Sequence, residues 1–354
     1  MSDQITRRQF ATAALAVSTL PSLSVLAQTP KPRIRIGLIG SKHAHAAGQL
    51  STLRQCPEFE VVGVVEPDEA QRRRVEPKPE FQGLPWLTRE QLLNTPRLQA
   101  VAVETEVAGL LENAQAVVDA GFHLHLDKPA GESLEKFKQV LDAATRHRRL
   151  VKMGYMFRYN PAFQFLIRAV REGWLGSVFS IHTEISKQLD APTRAEMRPY
   201  TGGSMFELGC HVIDSVHRVL GKPARVTPFI RRGPDAFADN MLAVLDYPQA
   251  VATVRSAVIE VAGEVRRQFV VCGDRGTCEI RPLEPASLRL MLDRPQGGYT
   301  KGVHEVNLPR TPRYANDWVE FARAIRGETA WEFTPEHDFA VQETILRASG
   351  LLPT

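Results

Sequence analysis

Long apolar segments are scarce in this chain of 354 residues. Residues 11–26 form an uncharged, apolar run, but it is shorter than the roughly 20 residues that a helix needs to span a bilayer. Excess charge is also small: the formal net charge is +4, of which Arg7, Arg8 and Asp3 contribute +1, so +3 remains on the rest. These scarcities argue against a membrane-spanning protein and against a nucleic-acid partner.

Cysteine is rare as well, and the spacing of the four thiols does not match a metal site. Cys272 and Cys278 flank a predicted hairpin turn at residues 273–276, so a disulfide between them stays open, with buried free thiols as the default. No internal repeat is evident, and the Pro-rich stretch 76–79 is predicted to be a surface loop. The hydrophobic and charged fractions, 43% and 24%, are those of an ordinary globular protein.

The first 27 residues predict where the protein works. Arg7 and Arg8 precede the apolar run, and Ala27 supplies the small residue that a signal peptidase needs. This pattern is typical of a twin-arginine export signal, so we predict cleavage before Gln28 and a periplasmic protein that crosses the membrane folded. A mitochondrial presequence would instead spread its arginines along the segment, and a membrane anchor would need a longer apolar run.

Alternating strand and helix signals from residue 33 to 154 predict an α/β, Rossmann-type doubly wound parallel sheet. β-Branched or apolar runs at residues 34–39, 61–65, 100–103, 123–126 and 150–154 are separated by helical patterns. Roughly 325 residues beyond the signal exceed the size at which one core usually keeps growing, which favours two domains.

A different pattern begins at residue 155 and predicts an α+β domain, residues 155–354, with a large, mostly antiparallel open sheet. Strand signals at residues 178–185, 225–230, 241–247, 251–259, 265–272 and 277–281 are close in sequence, as in antiparallel sheets. A helix is predicted over residues 204–220. Two closing helices, residues 314–326 and 335–350, are expected to pack back on the first domain.

Ligands of doubly wound sheets bind at the carboxyl ends of the strands. The loop after the first strand keeps Gly40 of the Gly-x-Gly-x-x-Gly dinucleotide fingerprint, but Lys42 and His45 replace the other two glycines. The Lys42 ammonium can offset the charge of a phosphate, and the helix N-terminus supplies amide donors to it. Glu66 ends the second strand and favours NAD over NADP by accepting from a ribose hydroxyl, although strands also end in acids where they reach solvent.

Two further clusters carry groups that transfer protons. Asp127-Lys128-Pro129 ends a buried strand, while Glu207 and His211 lie four residues apart on one helix face, with Asp214 nearby. Such Glu–His pairs usually lie on a solvated face, but apolar neighbours indicate that this helix is buried. Lysine, glutamate and histidine together can move protons on and off a hydroxyl while a cofactor takes the hydride.

Taken together, residues 36–40, Glu66, residues 120–129 and residues 202–214 resemble the Gfo/Idh/MocA oxidoreductases. The resemblance covers nearly all of the chain after the signal. It implies a Rossmann domain with an open-sheet domain, a carbohydrate substrate such as a sugar or polyol, and NAD(P) as the cofactor. Glu66 makes NADP the less favoured form, and we expect the NAD to be tightly bound because an exported protein has no free nicotinamide pool around it. The resemblance further implies a homodimer or homotetramer. Lys128 is the implied catalytic lysine, His211 the acid or base, and Glu207 replaces the family's usual aspartate. The predicted cofactor-binding residues are Gly40, Ser41, Lys42, His43, Glu66, Thr105, Asp127, Lys128 and Pro129.

Tyr155, Arg158 and Asn160 are predicted to contact substrate, with a structural ion pair as the alternative for Arg158. His182 and Glu184 share a face of a strand and are expected to line the pocket. The pairs His43/His45 and His123/His125 suggest a metal, but no third ligand is apparent from spacing, so we predict none.

Two departures from the family pattern concern the cofactor. Two glycines are lost, and Glu104 and Glu106 are expected to bring negative charge near a dinucleotide. Three functions therefore stay open: an exported NAD(P)-dependent oxidoreductase, a glycoside hydrolase or lyase that uses tightly held NAD transiently, and a catalytically silent carbohydrate-binding protein.

Overall fold

Five parallel strands form the first sheet of the computed structural model, which describes residues 31–353; the predicted signal lies outside the described residues. The strand order is β2-β1-β3-β4-β5. The strands are β1 Ile34–Ile39, β2 Phe59–Val65, β3 Ala100–Val103, β4 His123–Leu126 and β5 Val151–Met153. The helices of this part are α1 Ala46–Gln55, α2 Glu69–Val75, α3 Arg89–Leu93, α4 Val107–Asp119 and α5 Leu134–Arg146. Every residue of β3 and β4 is buried, as expected where helices cover both faces of a parallel sheet.

The second sheet has eight strands in the order β13-β12-β11-β10-β6-β9-β8-β7. Only the neighbours β6 and β9 run parallel; the other pairs are antiparallel. Both predicted sheet types are therefore confirmed. The strands are β6 Val178–Glu184, β7 Arg225–Arg232, β8 Ala238–Asp246, β9 Val251–Ala257, β10 Gln268–Gly273, β11 Gly276–Leu283, β12 Ala286–Leu292 and β13 Gly302–Val306.

One face of the second sheet is covered by helices, and the other is open. Alternate residues such as Ile181 and Val254 are buried on the covered face, against the helices at residues 161–171 and 210–220. The remaining elements are α6 Pro161–Arg171, α7 Ala191–Met197, a π-helical segment Met205–Gly209, α8 Cys210–Leu220, a 3₁₀ turn Gly263–Arg266, α9 Ala315–Ile325 and α10 Pro335–Ala348.

The last two helices contact the first sheet's layer. Trp318 on α9 donates from Nε1 to Gln49 Oε1 on α1 (2.9 Å). Gln342 on α10 accepts from Ala130 N (3.2 Å) and donates to Gly131 O (2.6 Å). The second sheet begins after β5 and α6, and the described residues from Arg33 onward form one compact unit.

The open question about Cys272 and Cys278 is answered by strand register. Cys272 pairs with Thr277, whereas Cys278 pairs with Val271, so the two thiols point to opposite faces of the sheet. All four cysteines are free. Among residues 31–353, no helix is both long and apolar enough to cross a membrane.

Candidate active site

Lys128 joins the two sheet layers at the carboxyl end of β4. Its Nζ donates to Glu207 Oε1 (2.7 Å) and to the Glu207 backbone oxygen (2.9 Å). Only 1% of the lysine is exposed. Burial opposes its charge, but the Glu207 carboxylate raises the pKa of Lys128 above its ordinary value, so the lysine is an ammonium at neutral pH.

Glu207 lies on the π-helical segment that runs into α8. A π-turn interrupts the i→i−4 hydrogen-bond pattern, and such turns occur often at functional sites. Here the Glu207 carbonyl accepts from Lys128 Nζ and from Cys210 Sγ (3.4 Å). The sequence predicted an ordinary helix over residues 204–220; the widened turn instead presents both oxygens of Glu207, main chain and side chain, to Lys128.

His211 lies on the first turn of α8, facing the same cluster. The imidazole is 2% exposed, and its Nδ1 lies 3.5 Å from Met156 N. The rings of His45 and Tyr155 are centred 6.1 and 6.3 Å from it. Burial, and then the charge of Lys128, hold the pKa of His211 well below its ordinary value. At neutral pH it is therefore an uncharged imidazole, which is able to accept a proton.

Asp127 gathers two histidines from the loop after β1. Its Oδ1 accepts from Lys128 N (2.8 Å) and lies 3.2 Å from His45 Nδ1, while Oδ2 contacts His43 Nδ1. The two imidazole rings are centred 4.7 Å apart. The sequence motif placed Asp127 beside the cofactor but gave no sign that His43 and His45 reach it, because the partners are more than 80 residues apart in the chain.

Glu104 corrects one expectation about the cofactor. Its side chain is fully buried, and Oε1 lies 2.8 Å from His125 Nε2; His125 Nδ1 in turn lies 3.2 Å from Lys152 Nζ. Glu104 therefore does not present its charge to a dinucleotide. Burial lowers the pKa of Lys152 to about 8 and raises that of Asp317 to about 6. Glu106, in contrast, lines the cavities beside the cluster.

A cavity of about 520 Å³ lies at the carboxyl ends of β1 and β2. Four predicted cofactor residues line it: Gly40, Lys42, Glu66 and Thr105. Gly40 has φ +88°, and a Cβ there would lie 2.7 Å from Thr105 N, so glycine is required for this close approach. Ser41 and His43 are buried and do not line the cavity.

The groups in this cavity fit the adenosine half of a dinucleotide. Glu66 Oε2 accepts from Ser41 N (3.0 Å) and Ser41 Oγ (2.7 Å), which leaves the carboxylate beside the cavity as a hydroxyl acceptor. Trp86 and Arg72 also line the cavity, with the Arg72 guanidinium over the Trp86 ring at 5.1 Å from its centroid. Lys42 Nζ lies 3.0 Å from Asp68 Oδ2, so its charge is already paired.

A second cavity, of about 820 Å³, shares Glu106 with the first. Gly131 and Tyr200 line it, and Tyr200 interacts electrostatically with both Glu207 and Lys128. The cavities therefore flank the Lys128 cluster, whose own members Lys128, Asp127 and His211 are buried. Pro129, joined to Lys128 by a cis peptide bond, belongs to the same buried turn.

The structure contradicts two of the predicted substrate contacts. Arg158 is buried and donates from NH2 to Asp214 Oδ1 (2.7 Å) and to Asp338 Oδ1, so it is the structural ion pair of the alternative interpretation. His182 lies on the open face of the second sheet, bonded to Thr253 Oγ1 (2.6 Å). Its neighbours Ile181 and Thr183 face the covered side, so alternation directs His182 away from the cluster.

Tyr155 and Asn160 lie nearer to the cluster. Tyr155 is buried with its ring edge against His211. Asn160 caps α6 by accepting from Ala162 N (2.9 Å), and it also lines a third cavity, of about 650 Å³, together with Tyr314 and Asp317. The sequence missed Tyr314, whose ring lies 6.2 Å from that of His45.

The part of the chain that forms the parallel sheet and the part that forms most of the second sheet each match a family model. Residues 34–155 match the model of the oxidoreductase family with an NAD-binding Rossmann fold, and residues 163–279 match the GFO/IDH/MocA C-terminal domain. The chain belongs to the Gfo/Idh/MocA oxidoreductase family. The implied family assignment is thus confirmed, with its NAD-binding Rossmann domain.

Three members of similar fold or sequence illustrate how this chain relates to other proteins. The uncharacterized oxidoreductase YdgJ of Escherichia coli (strain K12) is 24% identical over 73% of this chain and 74% of its own. Human trans-1,2-dihydrobenzene-1,2-diol dehydrogenase is 25% identical, over 69% and 71% respectively. The solved structure of aldose-aldose oxidoreductase from Caulobacter crescentus superposes with a TM-score of 0.76 at 18% identity, covering 90% of this chain and 98% of that one, which shows the shared fold.

Proposed function

We propose that this protein is an exported NAD(P)-dependent oxidoreductase that transfers hydride to or from a sugar, polyol or related carbohydrate. The observation that carries the proposal is the contact of Lys128 Nζ with Glu207 Oε1 at 2.7 Å, which brings the ammonium of one layer to the helix bearing His211. Relatives named as a diol dehydrogenase and an aldose-aldose oxidoreductase support a hydroxyl-bearing substrate.

Each residue of the cluster has a distinct role in this proposal. A bound nicotinamide supplies the hydride acceptor. The Lys128 ammonium donates hydrogen bonds to the substrate oxygen as negative charge develops on it. His211, uncharged because of its burial, takes the hydroxyl proton. Glu207 holds Lys128 in place through two hydrogen bonds, and the closed surroundings exclude water.

We assign the cofactor preference to NAD. Glu66 beside the cavity suits a free ribose 2′-hydroxyl, and its negative charge repels a 2′-phosphate. The Lys42 ammonium, which would otherwise attract a phosphate group, is paired with the Asp68 carboxylate. The loss of two loop glycines leaves fewer positions for close backbone approach. Because an exported protein has no free nicotinamide pool around it, we propose a cofactor that is retained through the catalytic cycle and regenerated by a second substrate.

The test begins with the purified protein as it is isolated. Denaturation should release NAD, detected by mass spectrometry, and suitable carbohydrates should change nicotinamide absorbance. Lys128→Met keeps the length of the side chain but removes its charge and should lower kcat/KM by roughly 10²- to 10⁴-fold. Lys138→Met is the matched control, because Lys138 forms an exposed ion pair with Asp142. Protein that releases no dinucleotide and reduces none with any carbohydrate would contradict the proposal.

The altered phosphate loop favours a second candidate function, a carbohydrate-binding protein without redox turnover. The Lys42 ammonium forms an ion pair with Asp68, so its positive charge is less available to a pyrophosphate group. Sugar binding measured by calorimetry, unaffected by Lys128→Met and without turnover, would select this function.

Cleavage of an aryl glycoside with no net reduction of NAD would instead select a hydrolase or lyase that uses the cofactor transiently.

Export to the periplasm is proposed from the sequence of residues 6–27 alone. Replacing Arg7 and Arg8 by lysine keeps the charge but removes the arginine pair that the export route reads. The double variant should stay in the cytoplasm with its signal attached, whereas the unmodified chain should appear processed in the periplasmic fraction. Equal amounts of processed protein in both would contradict the twin-arginine route.

A further inference from the structure

Three possible metal ligands meet at the loop after β1. Atoms of His43, His45 and Asp127 that are able to bind a metal all lie within 4.8 Å of one another. His43 and Asp127 are buried, and the His45 side chain is 17% exposed. The sequence argument rejected a metal for the His43/His45 pair because no third ligand was visible, and folding supplies that ligand from the end of β4.

Two buried carboxylate oxygens near these ligands have no assigned hydrogen bond. Within residues 31–353, neither Asp127 Oδ2 nor Glu104 Oε2 has a hydrogen-bond donor, although both are buried. His43 Nδ1 contacts Asp127 Oδ2 and lies 3.3 Å from His45 N, so one imidazole nitrogen and one carboxylate oxygen already point at the same place. A buried carboxylate oxygen is costly unless a donor or a cation satisfies it.

Lys128 does not fill this need. Its Nζ is directed to Glu207, at 2.7 Å from Oε1 and 2.9 Å from the main-chain oxygen. The contact of Lys128 with Asp127 is made by the backbone N–H, to Oδ1. The carboxylate therefore keeps Oδ2 beside the two imidazoles and away from the lysine ammonium.

A second cluster in the same molecule shows the contrast. Asp214, His337 and Asp338 also lie close enough to bind a metal, but the Arg158 guanidinium lies between the two carboxylates and donates to both. In that second cluster the Arg158 guanidinium therefore already supplies the positive charge between the carboxylates. No guanidinium pairs with Asp127 in the described part of the chain, so the two clusters differ in the feature that decides whether an ion fits.

We propose that His43, His45 and Asp127 bind one divalent transition-metal ion, of the Zn²⁺ type. Two imidazoles and one carboxylate are ligands that Zn²⁺ accepts, and three protein ligands leave a position open for water or an anionic oxygen. His45 occupies the place of the third fingerprint glycine, so the ion would stand where that loop faces Lys128. This inference goes beyond the proposed hydride transfer, which needs no metal.

The test uses the full purified chain, treated with EDTA and dialysed, with no dinucleotide or carbohydrate added. Calorimetric titration with ZnCl₂ should show one equivalent bound, and Co²⁺ should give visible ligand-field absorption. His43→Ala/His45→Ala should lose that equivalent and the Co²⁺ absorption. His182→Ala is the matched control, because that imidazole lies on the open sheet face, and it should bind as the unmodified chain does.

A gentler variant guards against loss of folding. His45→Gln keeps a polar side chain at a partly exposed position and should bind Zn²⁺ at least tenfold more weakly, with an unchanged circular dichroism spectrum. Absence of a bound equivalent in the unmodified chain, or equal binding by His45→Gln, would overturn the proposal. Because these measurements read metal binding and not hydride transfer, either result leaves the hydride-transfer proposal to its own test.

Discussion

Arg158 illustrates how a buried charge depends on its partners. Removing the guanidinium leaves Asp214 and Asp338 buried without a cation. We expect Arg158→Leu to lower the free energy of unfolding by about 3–5 kcal/mol, measured by urea denaturation. Arg225→Leu removes a largely exposed partner of Asp246 and should cost no more than about 1 kcal/mol. A stable Arg158→Leu protein with only a raised KM would restore the substrate role.

His217 makes the stability depend on pH. Burial lowers its pKa to about 3, from 6.5, so between these values the unfolded chain binds more protons than the folded one. Stability therefore falls as pH drops below 6.5, by about 1.4 kcal/mol per pH unit for this group. Between pH 7 and pH 5 the loss of unfolding free energy should be about 2 kcal/mol smaller in His217→Gln than in the unmodified chain. His182→Gln, altered on the open sheet face, should show the full loss; equal losses in all three proteins would refute the assignment.

Individual functional residues were predictable where a short motif carries them. Lys128 lies in Asp127-Lys128-Pro129, and Glu207 and His211 lie four residues apart, so local sequence is enough to single out all three, and their catalytic roles stay a prediction. The partners of Arg158, Glu104 and His45 come from distant parts of the chain. No local pattern distinguishes an arginine that binds a ligand from one that neutralises two buried carboxylates, and only the fold decides between them.

Helix α6 begins at Asn160, which the sequence assigned to substrate. Its side chain accepts from Ala162 N, and Pro161 follows as the first helical residue. We expect Asn160→Ala to lower the unfolding free energy by about 1 kcal/mol, because one amide at the helix start loses its partner. Asn160→Asp keeps the acceptor and should retain stability. A large rise in KM for Asn160→Ala at unchanged stability would favour the substrate role instead.

The regular elements of the parallel sheet were predicted well because their strands are short apolar runs ended by glycine or acid. Two strands of the second sheet, β12 and β13, were missed. Strand β12 carries alternating exposed and buried residues between Pro285 and Gly297, and β13 is largely exposed, so neither has a strong apolar signal. The π-turn at Glu207 was also missed, since its residues have ordinary helix-forming patterns.

At the scale of the whole molecule, the open face of the eight-stranded sheet has no covering layer among the described residues. Val251 on β9 and Phe229 on β7 are exposed there, with half-buried Leu242 and Val244 beside them. A second copy would bury the same face on both partners, as symmetric dimers do. Val251→Glu should therefore reduce the mass measured by light scattering to that of one chain.

The control for this prediction is Val261→Glu, which alters an exposed valine outside the strands. That protein should keep the mass of the unmodified chain. A single-chain mass for the unmodified protein would refute the proposed homodimer or homotetramer.

Gln342 has a consequence for biosynthesis. It lies on α10 and clamps Ala130 and Gly131, directly after the Lys128 turn and more than 200 residues earlier in the chain. The turn cannot acquire this clamp while α10 is still inside the ribosome. A polypeptide interrupted before α10 would carry Lys128, Glu207 and His211 yet lack the brace for the lysine turn, so only finished translation products acquire the proposed catalytic centre in full.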